Sequence, residues 1–265
     1  MLLQDKNAVI YGAGGAIGSA VARAFAAEGA HVHLAGRTRE PLDQVATDIR
    51  ARGGTAEVAV LDVMDEAAVD KHVRAVAERD GRLDVSINLI AHDDVHGVPL
   101  VEISAAEFAR PVEIAVMANF HTMRAAARRM AEQGSGVVIS FTSPPAKMVG
   151  PLMGGSAVAE AAVETFTRAL AAEVGGQGVR VVGLRSEGIP ESWAPDWHTN
   201  VFDTPQEATD GLDPEGHAGT LAAKTMLGRT PSLAEMTAVA AFLASDRAAA
   251  LTGTVTNMTC GSVPD

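Results

Sequence analysis

Tyr11-Gly12-Ala13-Gly14-Gly15-Ala16-Ile17-Gly18-Ser19-Ala20 follows the short apolar run Asn7–Tyr11 and leads into the helical run Val21–Glu28. Strand, glycine-rich turn and helix in this order make a phosphate-binding turn. Small residues let the backbone turn tightly, bring its amides up to a pyrophosphate and pack the helix close to the sheet, while the helix N-terminus faces the negative charge. An ordinary glycine-rich turn is the plainer alternative, and the flanking strand and helix weigh against it.

Outward from that turn the alternation repeats. Strands are expected near His31–Ala35, Ala56–Leu61, Leu83–Ile90, Val137–Thr142, Val179–Leu184 and Thr254–Met258, with helices filling the gaps. Strands alternating with longer amphipathic or Ala-rich stretches predict an α/β fold, a Rossmann-like doubly wound parallel sheet of about seven strands with helices on both faces. No linker composition divides the chain, so a single domain over 1–265 is expected. The stretch 187–227 is rich in Pro, Gly, Asp and Trp and lacks clean periodicity, as expected of a substrate loop or lid. Trp193 and Trp197 within it suggest an apolar pocket wall.

Hydrophobic residues make up 47% and charged residues 20% of the 265, enough to bury a sizeable core. The formal net charge of -12, with no basic block, argues against nucleic acid or an anionic membrane as partner and leaves a small-molecule substrate. One cysteine, Cys260, cannot form an internal disulfide, and Met1–Lys6 lacks a signal peptide's apolar stretch, so a cytoplasmic setting is expected.

The second strand ends in Leu34-Ala35-Gly36-Arg37-Thr38. An acidic side chain there would accept from the adenosine ribose hydroxyls and repel a 2′-phosphate, whereas Arg37 can pair with that phosphate, which favours NADP over NAD. A solvated arginine at a strand end is the competing reading.

Gly12 and Gly18 resemble the Thr-Gly-x-x-x-Gly-x-Gly signature of the short-chain dehydrogenase/reductase family, with Tyr11 in place of its Thr and Ala16 in place of its middle Gly. Leu61-Asp62-Val63 resembles the family's Asp-Val pair beside the adenine, and Asn88-Leu89-Ile90-Ala91 its Asn-Asn-Ala-Gly. Leu227–Glu235, Phe242–Asp246 and Leu251-Thr252-Gly253 are similar to its C-terminal segment. The resemblance thus spans nearly the whole chain. It implies cofactor contacts at Gly12, Gly14, Ala16, Ile17, Gly18, Asp62, Val63 and Asn88, and at Ile189 beside the nicotinamide carboxamide, although Ser186 and Glu187 replace the family's Pro-Gly. It also implies a homo-tetramer or homo-dimer built through the helices carrying Ala115 and Ser156.

The family's active site combines a Tyr-x-x-x-Lys, a Ser about thirteen residues earlier and an Asn on another helix. Ala161–Leu170 looks like the segment after the Lys, which puts Glu160 at the Lys position and Ser156 at the Tyr position. Ser143, thirteen residues before Ser156, falls on the Ser, and Ala115 on the Asn. Only Ser143 keeps the family's residue type. A lone serine alcohol is a far poorer acid than a phenol of pKa about 10, and a nearby Glu disfavours a second anion. The only tyrosine, Tyr11, lies in the cofactor turn. Ser156 and Glu160, four apart on a helix, share a face and are candidates for hydrogen-bonding each other. Asn119, one turn beyond Ala115, is a substitute for the lost Asn only through a shifted water or substrate.

His92-Asp93-Asp94-Val95-His96 follows the fourth strand, at the carboxyl edge where a doubly wound sheet binds substrate, and its spacing matches no metal motif. A polar surface loop is the commoner explanation of such a stretch, and His121 reads as packing or surface. Three roles stay open at this level. The chain is an NAD(P)-dependent oxidoreductase using Ser143 and a donor such as His92, Asp93 or water, a dinucleotide-binding sensor or regulator, or a non-redox enzyme reusing the pocket of Ser143, Ser156 and Glu160.

Overall fold

In the computed structural model, residues 1–193 and 214–264 are described. The short β-branched runs form β1 (Asn7–Tyr11), β2 (His31–Gly36), β3 (Thr55–Val60), β4 (Val85–Asn88), β5 (Gly136–Thr142), β6 (Val179–Ser186) and β7 (Val255–Met258). They make one sheet in the order β3-β2-β1-β4-β5-β6-β7, every neighbouring pair parallel. The order reverses between β1 and β4, the place where such sheets open a crevice at their carboxyl ends.

Around the sheet lie α1 (Ala16–Ala27), α2 (Arg39–Ala51), α3 (Glu66–Asp80), α4 (Ala105–Gln133), α5 (Ser156–Val174), α6 (Pro214–Ala223) and α7 (Leu233–Ala244). Strand side chains alternate between two layers, as the period of two requires. Ala8 and Ile10 pack with Val21, Phe25, Leu42 and Met236 of α1, α2 and α7, whereas Val9 and Tyr11 pack with Val73, Met123 and Leu170 of α3, α4 and α5. Burial on both faces explains why these strands read as continuous apolar runs.

All seven expected strands are present, with edges displaced by a few residues. Val85–Asn88 is shorter than Leu83–Ile90, yet backbone pairing carries past its end, Leu89 N donating to Tyr11 O at 3.0 Å. The first helix starts at Ala16 instead of Val21, because Ala16 and Ile17 extend it up to the glycines. Tyr11 belongs to the strand and not to the turn. It is fully buried, its hydroxyl has no hydrogen-bond partner, and burial pushes its pKa up, so it cannot serve as a proton donor. Within the expected loop 187–227, residues 194–213, including Trp197, lie outside the described residues. No helix among the described residues is long and apolar enough to cross a membrane.

Candidate active site

The turn after β1 has the shape a dinucleotide needs. Gly12 adopts φ +80°, and a Cβ there would lie 2.1 Å from Leu89 O. A Cβ on Gly18 would meet Gly12 O at 2.1 Å, so α1 presses directly on the turn. Gly15, at the α1 N-cap, offers no capping side chain, which leaves the first-turn amides to other partners. Gly14 packs beneath, against Pro41 and Leu42, and Ile17 is half-buried against the core.

Beside the turn opens a cavity of about 310 Å³ whose walls include Gly12, Gly15, Arg37, Asp62, Val63 and Ile90. Gly14, Ala16, Ile17, Gly18 and Asn88 are not part of its walls. Arg37 is exposed at its rim, and His121 donates from Nδ1 to Val63 O at 2.9 Å, steadying the wall. The bare glycine cradle, the uncapped helix and the cationic rim together fit a dinucleotide.

Asn88 is buried, and its Nδ2 donates to Asn119 Oδ1 at 2.8 Å and Thr122 Oγ1 at 2.6 Å. It clamps β4 to α4. Asn119 also donates to Ala115 O at 2.9 Å, so its amide is committed within the helix and does not stand in for the lost Asn. Ile189 is 2% exposed at the end of β6, while the Glu187 carboxylate accepts from Ser262 Oγ at 2.6 Å and from Gly188 N at 3.0 Å.

At the carboxyl ends of β4 and β5, Glu160 sits on α5 and grips Ser143 twice. Oε2 accepts from Ser143 N at 3.1 Å and Oε1 from Ser143 Oγ at 3.0 Å. His92 Nδ1 lies 3.8 Å from Oε1. Glu160 is 6% exposed and its pKa is pushed up to about 8, first by burial and next by the charge of Asp94, against the pull of the Ser143 hydrogen bonds. Burial pushes His92 down, against Asp94 and Asp93. Both shifts favour a neutral acid beside a neutral imidazole over a buried ion pair.

Ser156 and Glu160 do not hydrogen-bond each other. Ser156, the first residue of α5, donates to Met153 O at 2.8 Å and receives from His96 Nε2 at 2.6 Å. Two close approaches bring the loop carrying His96 here. Gly97 N donates to Leu152 O at 2.8 Å, and Gly154, at φ +52°, sits where a Cβ would lie 2.2 Å from Val95 O. The pairing missed from the sequence follows from this contact across sixty residues, which periodicity does not encode. Of the donors expected, His92 reaches Glu160, whereas Asp93 is exposed and lines the 310 Å³ cavity instead.

One turn along α5, Glu164 holds Arg185 of β6, Oε1 accepting from Nε at 2.7 Å and Oε2 from an amino nitrogen at 3.1 Å. Both are almost wholly buried, and Glu164 Oε1 also accepts from Thr142 at 3.3 Å. The only visible signal was an arginine inside an apolar strand. Glu164 thus has a guanidinium, whereas Glu160 has none among the described residues and relaxes toward its neutral form.

A short chain dehydrogenase family model matches residues 6–190. Levodione reductase of Leifsonia aquatica is 32% identical over 258 residues, covering 95% of this chain and 91% of that protein. Meso-2,3-butanediol dehydrogenase of Serratia marcescens is 32% identical over 259 residues, covering 96% and 92%. Among solved structures, NAD+-bound xylitol dehydrogenase superposes with a TM-score of 0.85 at 26% identity, covering 96% of this chain and 98% of that one.

Proposed function

This chain belongs to the short-chain dehydrogenase/reductase family and is by that kinship an NAD(P)-dependent oxidoreductase; on this premise we propose that Glu160 and Ser143 replace its tyrosine as proton donor. The observation that carries the reading is the double grip of a buried, largely neutral Glu160 on Ser143. Bound beside Gly12, the dinucleotide would supply or take up a hydride. Ser143 Oγ then gives its proton to the carbonyl oxygen of a small ketone or aldehyde, and Glu160 Oε1 returns a proton to Ser143 Oγ. A protonated carboxyl can reverse the 3.0 Å bond and donate along it. An acid of pKa about 8 suits proton transfer near neutrality. His92, whose Nδ1 is 3.8 Å from Oε1, is the group assigned in this reading to relay a proton from solvent back to Glu160.

Arg37 at the cavity rim supports NADP over NAD, and Gly12, Gly14, Ala16, Ile17 and Gly18 are assigned to the pyrophosphate side, Asp62 and Val63 to the adenine side and Ile189 to the nicotinamide, while Asn88 supports the site from beneath by holding β4 to α4. A homo-oligomer through α4 and α5 is supported by exposed Phe120 and Val158 and by an apolar depression along Ala157, Ala161, Ala162 and Phe166. A cytoplasmic setting agrees with the single cysteine.

The deciding experiment is single-turnover absorbance at the nicotinamide band, with NADPH and a panel of small carbonyls, across pH. Reduction should slow as pH rises through about 8, and Glu160→Gln should remove that dependence together with most of the rate. Tight NADPH binding with no oxidation over hours by the unmodified chain would defeat the reading.

A further inference from the structure

At the opposite end of the sheet from the active site, His31 and His33 stand two apart on β2 and so share a face, beside Asp80 at the last turn of α3. One ligand atom from each lies within 4.8 Å of the others. His33 Nε2 is 2.9 Å and His31 Nδ1 3.8 Å from Asp80 Oδ2. These separations bracket the roughly 3.3 Å expected between neighbouring ligands of a tetrahedral zinc ion with bonds of about 2.0–2.1 Å.

His33 is 2% exposed, yet its Nε2 has no hydrogen bond of acceptable geometry even with Asp80 so near. A buried polar atom left in this way is costly unless something else satisfies it. Nothing in the oxidoreductase chemistry uses these residues, since His31 and His33 open the strand whose far end carries Arg37.

We propose that His31, His33 and Asp80 form a binding site for a divalent transition metal, zinc by its preference for imidazole and carboxylate, that staples β2 to α3. Arg79 marks the same spot as suited to a cation. Its guanidinium donates to His33 Nδ1 at 3.2 Å, lies 3.2 Å from Asp80 Oδ1 and 3.6 Å from Glu57 Oε2. While Arg79 donates to Nδ1, the His33 proton resides on Nε2. Zinc binding at Nε2 moves that proton to Nδ1, where the ring can no longer accept from the half-exposed Arg79, and so turns Arg79 toward water. The fourth ligand position is left to water, with Glu57 opposite His33 on β3 as its hydrogen-bond partner.

Zinc titrated calorimetrically into the full chelator-treated chain, with cobalt as the visible-absorbance probe, tests the site. One saturable equivalent is expected, with a raised thermal midpoint. His31→Ala, at the half-exposed ligand, and Asp80→Asn should each weaken binding more than the roughly tenfold typical of losing an outer-shell partner. Arg79→Gln should tighten it, because it removes the competing cation and no ligand. Unchanged stoichiometric binding in folded His31→Ala and Asp80→Asn would place the ion elsewhere and overturn the proposal. So would the lack of saturable binding below millimolar zinc in both the unmodified chain and Arg79→Gln.

Discussion

Ser156 Oγ lies 2.6 Å from His96 Nε2, so the position where the family carries a phenol holds an alcohol already engaged by an imidazole. Its own proton goes to Met153 O. In the proposed mechanism Ser156 is therefore a positioning residue, and Ser143 is the group that meets the substrate. Ser143→Ala and Glu160→Gln should each lower kcat by about 10²–10⁴, the range for loss of a general acid. Ser156→Ala and His96→Asn should lower it by less than about tenfold. Steady-state kinetics of all four variants check the division, and the reverse order would move the donor to the His96 pair.

Glu160 also gives stability a pH dependence. Its folded pKa of about 8 exceeds its ordinary 4.5, so between those values the folded chain holds a proton that the unfolded chain has released. Stability should then fall as pH rises across that window and level off above about 8. Glu160→Gln should flatten the slope and raise the thermal midpoint at alkaline pH by a few degrees, about 2–4 °C for each kcal/mol in a chain of this size. Differential scanning calorimetry at acid and alkaline pH reads the difference, and an unchanged slope in the variant would refute it.

Arg37 should decide between the two dinucleotides. Arg37→Ser is expected to weaken NADPH binding about ten- to a hundredfold, the worth of one charge-assisted contact, with little effect on NADH. Fluorescence titration with both cofactors measures it, and equal losses for the two would deny Arg37 a phosphate.

Arg185→Met leaves the buried Glu164 carboxylate with only the half-exposed Arg168, 3.6 Å away, as a cationic partner and should cost up to about 3–5 kcal/mol. Replacing both residues by apolar ones of similar volume should recover most of that loss. Urea unfolding of the single and double variants gives the comparison.

The frame was legible because its physics is local. A short apolar run buried on both faces marks Asn7–Tyr11 as a strand, and Gly12 and Gly18 announce the close turn that their missing Cβ atoms permit. The identities of Ser143, Ser156 and Glu160 were readable for the same reason, as fixed offsets along one segment. Their partners were not. Glu160 gripping Ser143 follows from how α5 seats against β5, and His96 reaching Ser156 follows from a loop-to-loop contact. Spacing told that Ser156 and Glu160 share a face, but each was claimed by a nearer partner from another element. The Glu164–Arg185 pair stayed hidden because its two halves lie on different elements, each within an apolar pattern.

The staple between the loop after β4 and the approach to α5 has a consequence for motion. Gly97 N donates to Leu152 O across it, and Gly154 lets Val95 O come close. Local opening there would separate His96 from Ser156 while both hydrophobic layers stay intact, so the site can come apart without the protein unfolding. The Gly97 amide becomes a natural reporter of assembly: its hydrogen exchange should slow when a substrate occupies the pocket, and keep its rate when a ligand fills the dinucleotide cavity alone.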